Sequence, residues 1–250
     1  MLALLGALAI GLSLGLLGSG GSILTVPVLV YVVGEPEKLA IAESLGIVGT
    51  IAAVGALLHG RQQHIDWRSV KLVAPSAMLG SYGGAWISQF ISGRAQLLLF
   101  AMVMLIAAWR MFNNANQTEL QPSYCRPRCL LGLGLGLGIM SGIVGVGGGF
   151  LVVPALVLLG GLTMPMAVGT SLMIISLSSF TGFAKQLHLL HTMNLHLNWH
   201  TLLLFVVLGV AGSLAGQPIG KRLPQQQLQR VYSFMVLLMA GLILWQSTVR

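Results

Sequence analysis

The stretch GLLGSGGSILTVP, Gly15 to Pro27, interrupts an otherwise apolar run, and GIVGVGGGFLVVP, Gly142 to Pro154, repeats it half a chain later. Glycine in a helix interior costs roughly 1 kcal/mol relative to alanine and proline about 3. A chain that breaks its own apolar segment twice, with one spacing, is shaping backbone rather than extending a helix. The surroundings say where. Of the 250 residues 56% are apolar and only 7% charged, against about 25% charged in soluble domains. Apolar runs long enough to cross a hydrocarbon core of about 30 Å recur along the chain. Only helices and closed barrels satisfy the backbone in lipid, and a run such as LLLFAMVMLIAAW lacks the alternation of barrel strands. The predicted class is an all-α, polytopic, multi-pass membrane bundle. No basic n-region precedes the first apolar segment, which is read as retained. The net charge of +8 is scattered between apolar segments, so membrane topology explains it better than nucleic acid does.

Pro154 follows Pro27 by 127 residues, and the same shift lays Gly15, Gly18, Gly20 and Gly21 on Gly142, Gly145, Gly147 and Gly148. AIAESL (Ala40 to Leu45) falls on AVGTSL (Ala167 to Leu172), pairing Glu43 with Thr170 and Ser44 with Ser171. After a gap of a few residues HIDW (His64 to Trp67) meets HLNW (His196 to Trp199). The chain thus divides into one repeat at 1–112, a polar connection at 113–128 and a second repeat at 129–250. Each half reads as a broken segment (about 2–33 and 130–160) followed by three long helices, near 38–59, 70–91 and 96–112, then near 163–188, 200–219 and 226–247. A single helix over the first broken segment would be about 48 Å long, too long for the bilayer without strong tilt. If each broken segment turns back as a re-entrant hairpin, the halves are inverted, and nine of the 13 basic residues share one face. One crossing per broken segment makes parallel repeats with eight of 13 on that face. The counts barely differ, and segment length favours inversion.

The paired G-x-x-G-x-G-G…P segments, each followed by A-x-x-[TE]-S-L, resemble the TauE/SafE family of sulfite exporters and related permeases over nearly the whole chain. The resemblance implies a transporter in the cytoplasmic (inner) membrane of a prokaryote, carrying small, often sulfur-containing or organic anions such as sulfite and sulfonates. The first repeat departs from the family's G-T-S form, with Ala42, Glu43 and Ser44 opposite Gly169, Thr170 and Ser171. That leaves substrate and coupling open.

The glycines have a plainer use, since Gly11/Gly15, Gly80/Gly84 and Gly212/Gly216 carry the small-x-x-x-small spacing that lets helices approach. The clusters differ in joining consecutive glycines to a proline. A broken helix at membrane depth exposes free N–H groups and a positive dipole end, both favourable to an anion. The expected substrate site therefore comprises Ser19, Gly20, Gly21, Ser22, Thr25 and Ser44 with Gly147, Gly148, Gly149, Thr170 and Ser171, converging near the midplane. Glu43 is the one carboxylate expected inside a membrane helix and is the candidate proton carrier, an interfacial solvated glutamate being the alternative. Ser171, Ser178, Thr181 and Lys185 form a stripe of helical period whose hydroxyls either face substrate or bond their own backbone. Lys185 is expected to snorkel. Cys125 and Cys129, and His188, His191, His196 and His200, read as ordinary loop residues rather than metal ligands. No cofactor is expected. An intramembrane enzyme would need paired carboxylates or a nucleophile with its base, and a scaffold subunit would not need duplicated breaks. The expected partners are a small anion, the bilayer and, with no sequence signal for or against it, a second copy in a homo-oligomer.

Overall fold

The structure, a computed structural model, describes residues 2–17, 21–114, 127–145, 149–158, 161–192, 197–220 and Gly241. Among these residues the elements are helical and no strand occurs. Helix α1 (Leu2–Leu17) stops at the first glycine cluster and α2 (Gly21–Pro27) resumes beyond it. Pro27 brings no N–H to the ladder. The chain then widens into a π-helical segment, Val28–Val33, closed by left-handed Gly34 at φ 85°. Gly6 lies against Val28, so this second piece runs back along α1 as a helical hairpin. The longer helices α3 (Glu37–Arg61), α4 (Trp67–Ser88) and α5 (Gly93–Asn114) follow. The second series is α6 (Pro127–Val144), α7 (Gly149–Leu158), α8 (Met164–Thr192) and α9 (Trp199–Gly220). In the second series the chain turns left-handed at Gly145 (φ 77°), directly after α6. Among the described residues three helices, Glu37–Arg61, Pro165–Thr192 and Trp199–Gln217, are long and apolar enough to cross a membrane.

Some boundaries differ from expectation. Helix α8 runs to Thr192 because Leu189 and Leu190 still bury against the bundle, which places His188 and His191 on a helix rather than in a loop. His200 sits in the first turn of α9, and His196 lies outside the described residues. Proline is well suited to the first turn of a helix, and α6 begins at Pro127, narrowing the polar connection. Cys125 and, Gly241 apart, the expected helix near 226–247 lie outside the described residues.

At the centre α3 and α8 pack antiparallel, with Gly46 beside Phe183, Gly49 against Ser179 and Gly55 against Leu172. Two parallel crossings flank them. Gly11 meets Gly209 and Gly15 meets Ser213, while Gly212 and Gly216 face the carbonyls of Leu8 and Leu12. In the other crossing Gly138 meets Ala77 and Gly142 meets Ser81, while Gly80 and Gly84 face the carbonyls of Leu135 and Ile139. Each contact in one crossing has its counterpart in the other, so the small-residue spacings read from the sequence serve close helix approach. The turns repeat as well. Beside Gly34 the Glu35 N–H donates to the Leu29 carbonyl (3.1 Å), and beside Gly161 (φ 63°) the Leu162 N–H donates to the Leu156 carbonyl (3.2 Å). Trp67 and Trp199 are exposed at the first positions of α4 and α9, a place where tryptophan anchors to a membrane interface. Exposed Leu57, Leu79, Leu203 and Val207 give the bundle an apolar exterior suited to lipid.

Candidate functional site at the helix breaks

Where α6 ends, Gly145 turns left-handed (φ 77°) and its N–H donates to the Ser141 carbonyl at 2.8 Å. A side chain there would lie 2.7 Å from the Ile41 carbonyl oxygen, so glycine is required both by the dihedral and by the approach to α3. Ser44 Oγ donates to the Ile41 carbonyl at 2.8 Å and also reaches the Gly145 carbonyl. The polar motif of the first repeat thus holds the break of the second.

Glu43 is fully buried, which replaces the picture of a solvated interfacial glutamate. Its Oε1 accepts the Asn198 N–H at 3.2 Å, and Oε2 is buried with no hydrogen-bond partner among the described residues. At the equivalent position Thr170 Oγ1 accepts the Asp66 N–H at 2.9 Å. Two chemically different side chains therefore do one job. Each latches the residue that caps the following helix of the opposite repeat. Asp66 caps α4, accepting the Arg68 and Ser69 N–H groups (both 3.2 Å) and the Ser69 hydroxyl (2.6 Å). Asn198 caps α9 through the Thr201 N–H at 3.3 Å. Neither capping residue was singled out from the sequence, although HIDW falling on HLNW placed an Asp and an Asn before matched tryptophans, an N-cap signal.

Ser171 Oγ donates to the Val168 carbonyl at 2.8 Å, matching Ser44 on Ile41. Gly169 meets the His64 carbonyl, which tucks the α3–α4 turn against the second motif. Ser22 and Thr25 are both fully buried on α2, which packs on α3 and touches α7. Gly21 and Gly149 are the first residues of α2 and α7, while Ser19, Gly20, Gly147 and Gly148 lie outside the described residues. The polar stripe on α8 is satisfied locally: Ser178 bonds the Ile175 carbonyl (3.2 Å) and Thr181 the Leu177 carbonyl (2.8 Å). Lys185 Nζ lies 5.3 Å over the Tyr82 ring.

The described candidates form two groups rather than one. Because α3 and α8 are antiparallel and Gly55 faces Leu172, Ser171 is level with the last third of α3 and Ser44 with its first. The two serines are thus about 12 residues apart along the bundle, roughly 18 Å at 1.5 Å per residue. The ends of the broken helices follow suit. Gly15 on α1 meets Ser213, on the α9 turn after the one that meets Ile51, whereas Gly145 meets Ile41. A single midplane cage enclosing both serines is not what this register builds.

A bundle of apolar helices whose left-handed break at Gly145 is held by Ser44 of the opposite half fits a membrane transporter. The chain belongs to the sulfite exporter TauE/SafE family, whose profile matches residues 2–243. It is 32% identical over 246 residues, 95% of this chain and 92% of the relative, to a probable membrane transporter protein of Xylella fastidiosa. It is 25% identical to the probable membrane transporter protein YunE of Bacillus subtilis, over 93% of this chain and 92% of the relative. A probable membrane transporter protein of Methanocaldococcus jannaschii is 25% identical over 71% of this chain and 70% of the relative. No solved structure matches the chain.

Proposed function

We propose that the protein is a secondary transporter of small anions, sulfur oxyanions and sulfonates first among them, in the cytoplasmic membrane of a prokaryote, built from inverted repeats at 1–112 and 129–250 joined through 113–128. The inversion draws support from α3 and α8, which match each other in the repeat and pack antiparallel. A two-fold that exchanges antiparallel membrane helices lies in the membrane plane. The observation that carries the functional reading is the Ser44 hydroxyl on the Gly145 carbonyl, with Glu43 beside it. Irregular backbone at membrane depth is tolerated where protein buries it or where it lines a cavity, and here the Ser44 hydroxyl sits on the break itself.

In this reading the anion has two stations. One comprises Ser44, Gly147, Gly148 and Gly149, with Glu43 as proton carrier. The other comprises Ser19, Gly20, Gly21, Ser22, Thr25, Thr170 and Ser171. Backbone N–H groups and hydroxyls attract an anion without a full positive charge, and a site that binds weakly releases its ion. An inside-negative potential favours anion exit by about 2.3 kcal/mol per charge per 100 mV, so export needs no coupling ion, whereas uptake would draw on Glu43. The test is flux of labelled sulfite in proteoliposomes carrying Gly21→Val or Gly148→Val. Flux should fall to background in both while membrane insertion and expression match the parent. Unchanged flux in both would make the breaks packing devices and move the site elsewhere.

A further inference from the structure

Three buried hydroxyls, on α4, α6 and α8, lie just inside the break at Gly145 and belong to neither station. Ser81 of α4 stands at the junction. Its carbonyl meets Gly142 of α6, and its Oγ would lie 2.5 Å from a side chain at Gly182 of α8, with Leu45 of α3 alongside. Ser141, next to Gly142, comes one turn before Gly145, accepts its N–H at 2.8 Å and is thereby its neighbour on the helix surface. Ser179 precedes Gly182 by three positions on α8 and rests against Gly49 of α3. The three border the seam between the α4–α6 pair and the central α3–α8 pair.

None of them is bonded as a helical serine ordinarily is. Ser44, Ser76, Ser88, Ser171 and Ser178 each donate to a carbonyl three residues back on their own helix, which hides a hydroxyl in apolar surroundings. Ser81 and Ser179 are fully buried and Ser141 nearly so, and among the described residues their Oγ atoms have no hydrogen-bond partner. A buried hydroxyl left unbonded costs stability.

Repeat architecture does not call for the hydroxyls of α6 and α8. At the shift of 127 that superposes the motifs, Ser141 falls on Leu14 and Ser179 on Ala52, both buried and apolar. Only Ser81 keeps a hydroxyl, at Ser213, under the shift of 132 that joins the matched tryptophans. The same positions thus pack without a hydroxyl in one repeat and carry an unbonded one in the other. Polar groups that packing does not need mark substrate paths in membrane proteins. Their level fits that use. Along α3, Gly49 lies between Ser44 and Gly55, and Gly55 meets Leu172, the neighbour of Ser171.

We infer that the seam bordered by Ser81, Ser141 and Ser179 is the route that links the two anion stations, the three hydroxyls donating to the anion's oxygens as the seam opens. In the closed seam these hydroxyls are unbonded, and water or anion supplies the missing partners, so opening recovers part of its own cost. The cargo rests on the anion-transport reading, but access to the seam is testable without transport. Ser141→Cys and Ser179→Cys, made after replacing Cys125 and Cys129, are treated in the purified full chain with 2-sulfonatoethyl methanethiosulfonate, a thiol reagent that is itself a sulfonate. Mass spectrometry follows the adduct, and Ala52→Cys is the buried reference. Both seam variants should be modified severalfold faster than the reference. Rates equal to the reference overturn the route whatever the flux. Modification in a chain that moves no anion keeps a seam open to sulfonates and overturns the transport reading. Cysteine is larger than serine, so Ser141→Ala and Ser179→Ala give a second reading. Their thermal midpoints should match or exceed the parent's, because an unbonded buried hydroxyl is removed, while the half-saturation concentration for labelled sulfite rises severalfold. A lowered midpoint, or an unchanged half-saturation concentration in the double variant, overturns the inference.

Discussion

Glu43 combines a structural duty with an unexplained surplus. Thr170 performs the duty with one hydroxyl oxygen, so accepting an N–H from the opposite cap does not call for a carboxylate. The surplus is Oε2, buried without a partner among the described residues. Glu43→Gln keeps an oxygen for the Asn198 N–H and removes the exchangeable proton. The variant should fold with the parent's thermal midpoint in detergent and lose any pH dependence of flux. Equal pH dependence in variant and parent would leave the residue only its latch. Thr170→Val tests the latch alone, since it removes the acceptor of the part-buried Asp66 N–H. It should destabilise the protein by about 0.5 to 1.5 kcal/mol, the net worth of a hydrogen bond, read as a lowered thermal midpoint.

Among the helices, α6 shows most clearly how packing selects among identical residues. Its sequence LGLGLGLG offers glycine at every second position, but a helix turns 100° per residue and cannot bury them all on one face. Gly134, Gly138 and Gly142 meet α4, whereas Gly132 and Gly136 have open space where a side chain would go. Gly138→Ala would drive a methyl group into the backbone of Ala77, and an overpacking cost of about 1 to 3 kcal/mol is expected. Gly136→Ala should be neutral or stabilise by about 0.5 to 1 kcal/mol through backbone entropy. Thermal unfolding of the two variants side by side checks the assignment, and equal effects would mean that α4 and α6 do not cross there.

For the molecule as a whole the decisive question is how the repeats face the membrane. The α3–α4 turn at His64 and the α8–α9 connection at Leu197 are counterparts, each latched to the opposite repeat through Asp66 and Asn198. Inverted repeats require them on opposite sides of the bilayer. Single cysteines at 64 and 197, introduced after replacing Cys125 and Cys129, should label from opposite faces with an impermeant maleimide. Labelling from the same face would leave parallel repeats.

The membrane class, the helical class, the break at Gly145 and the small-residue crossings were legible in the chain because they depend on composition and on spacing along one helix. Glycine clusters end helices, and glycines four apart admit a neighbour, whatever the rest of the molecule does. The duplicated motif also singled out Glu43 and Ser44, then Thr170 and Ser171. What touches them was not legible. Ser44 on Gly145 joins residues 101 apart and Glu43 on Asn198 residues 155 apart, contacts set by how one repeat packs on the other. The separation of the two groups has the same origin. Since α3 and α8 run antiparallel, residues equivalent in the two repeats lie equally far from the crossing point on opposite sides of it. Matched motifs off the centre are thereby kept apart, and no feature of the linear repeat carries that information.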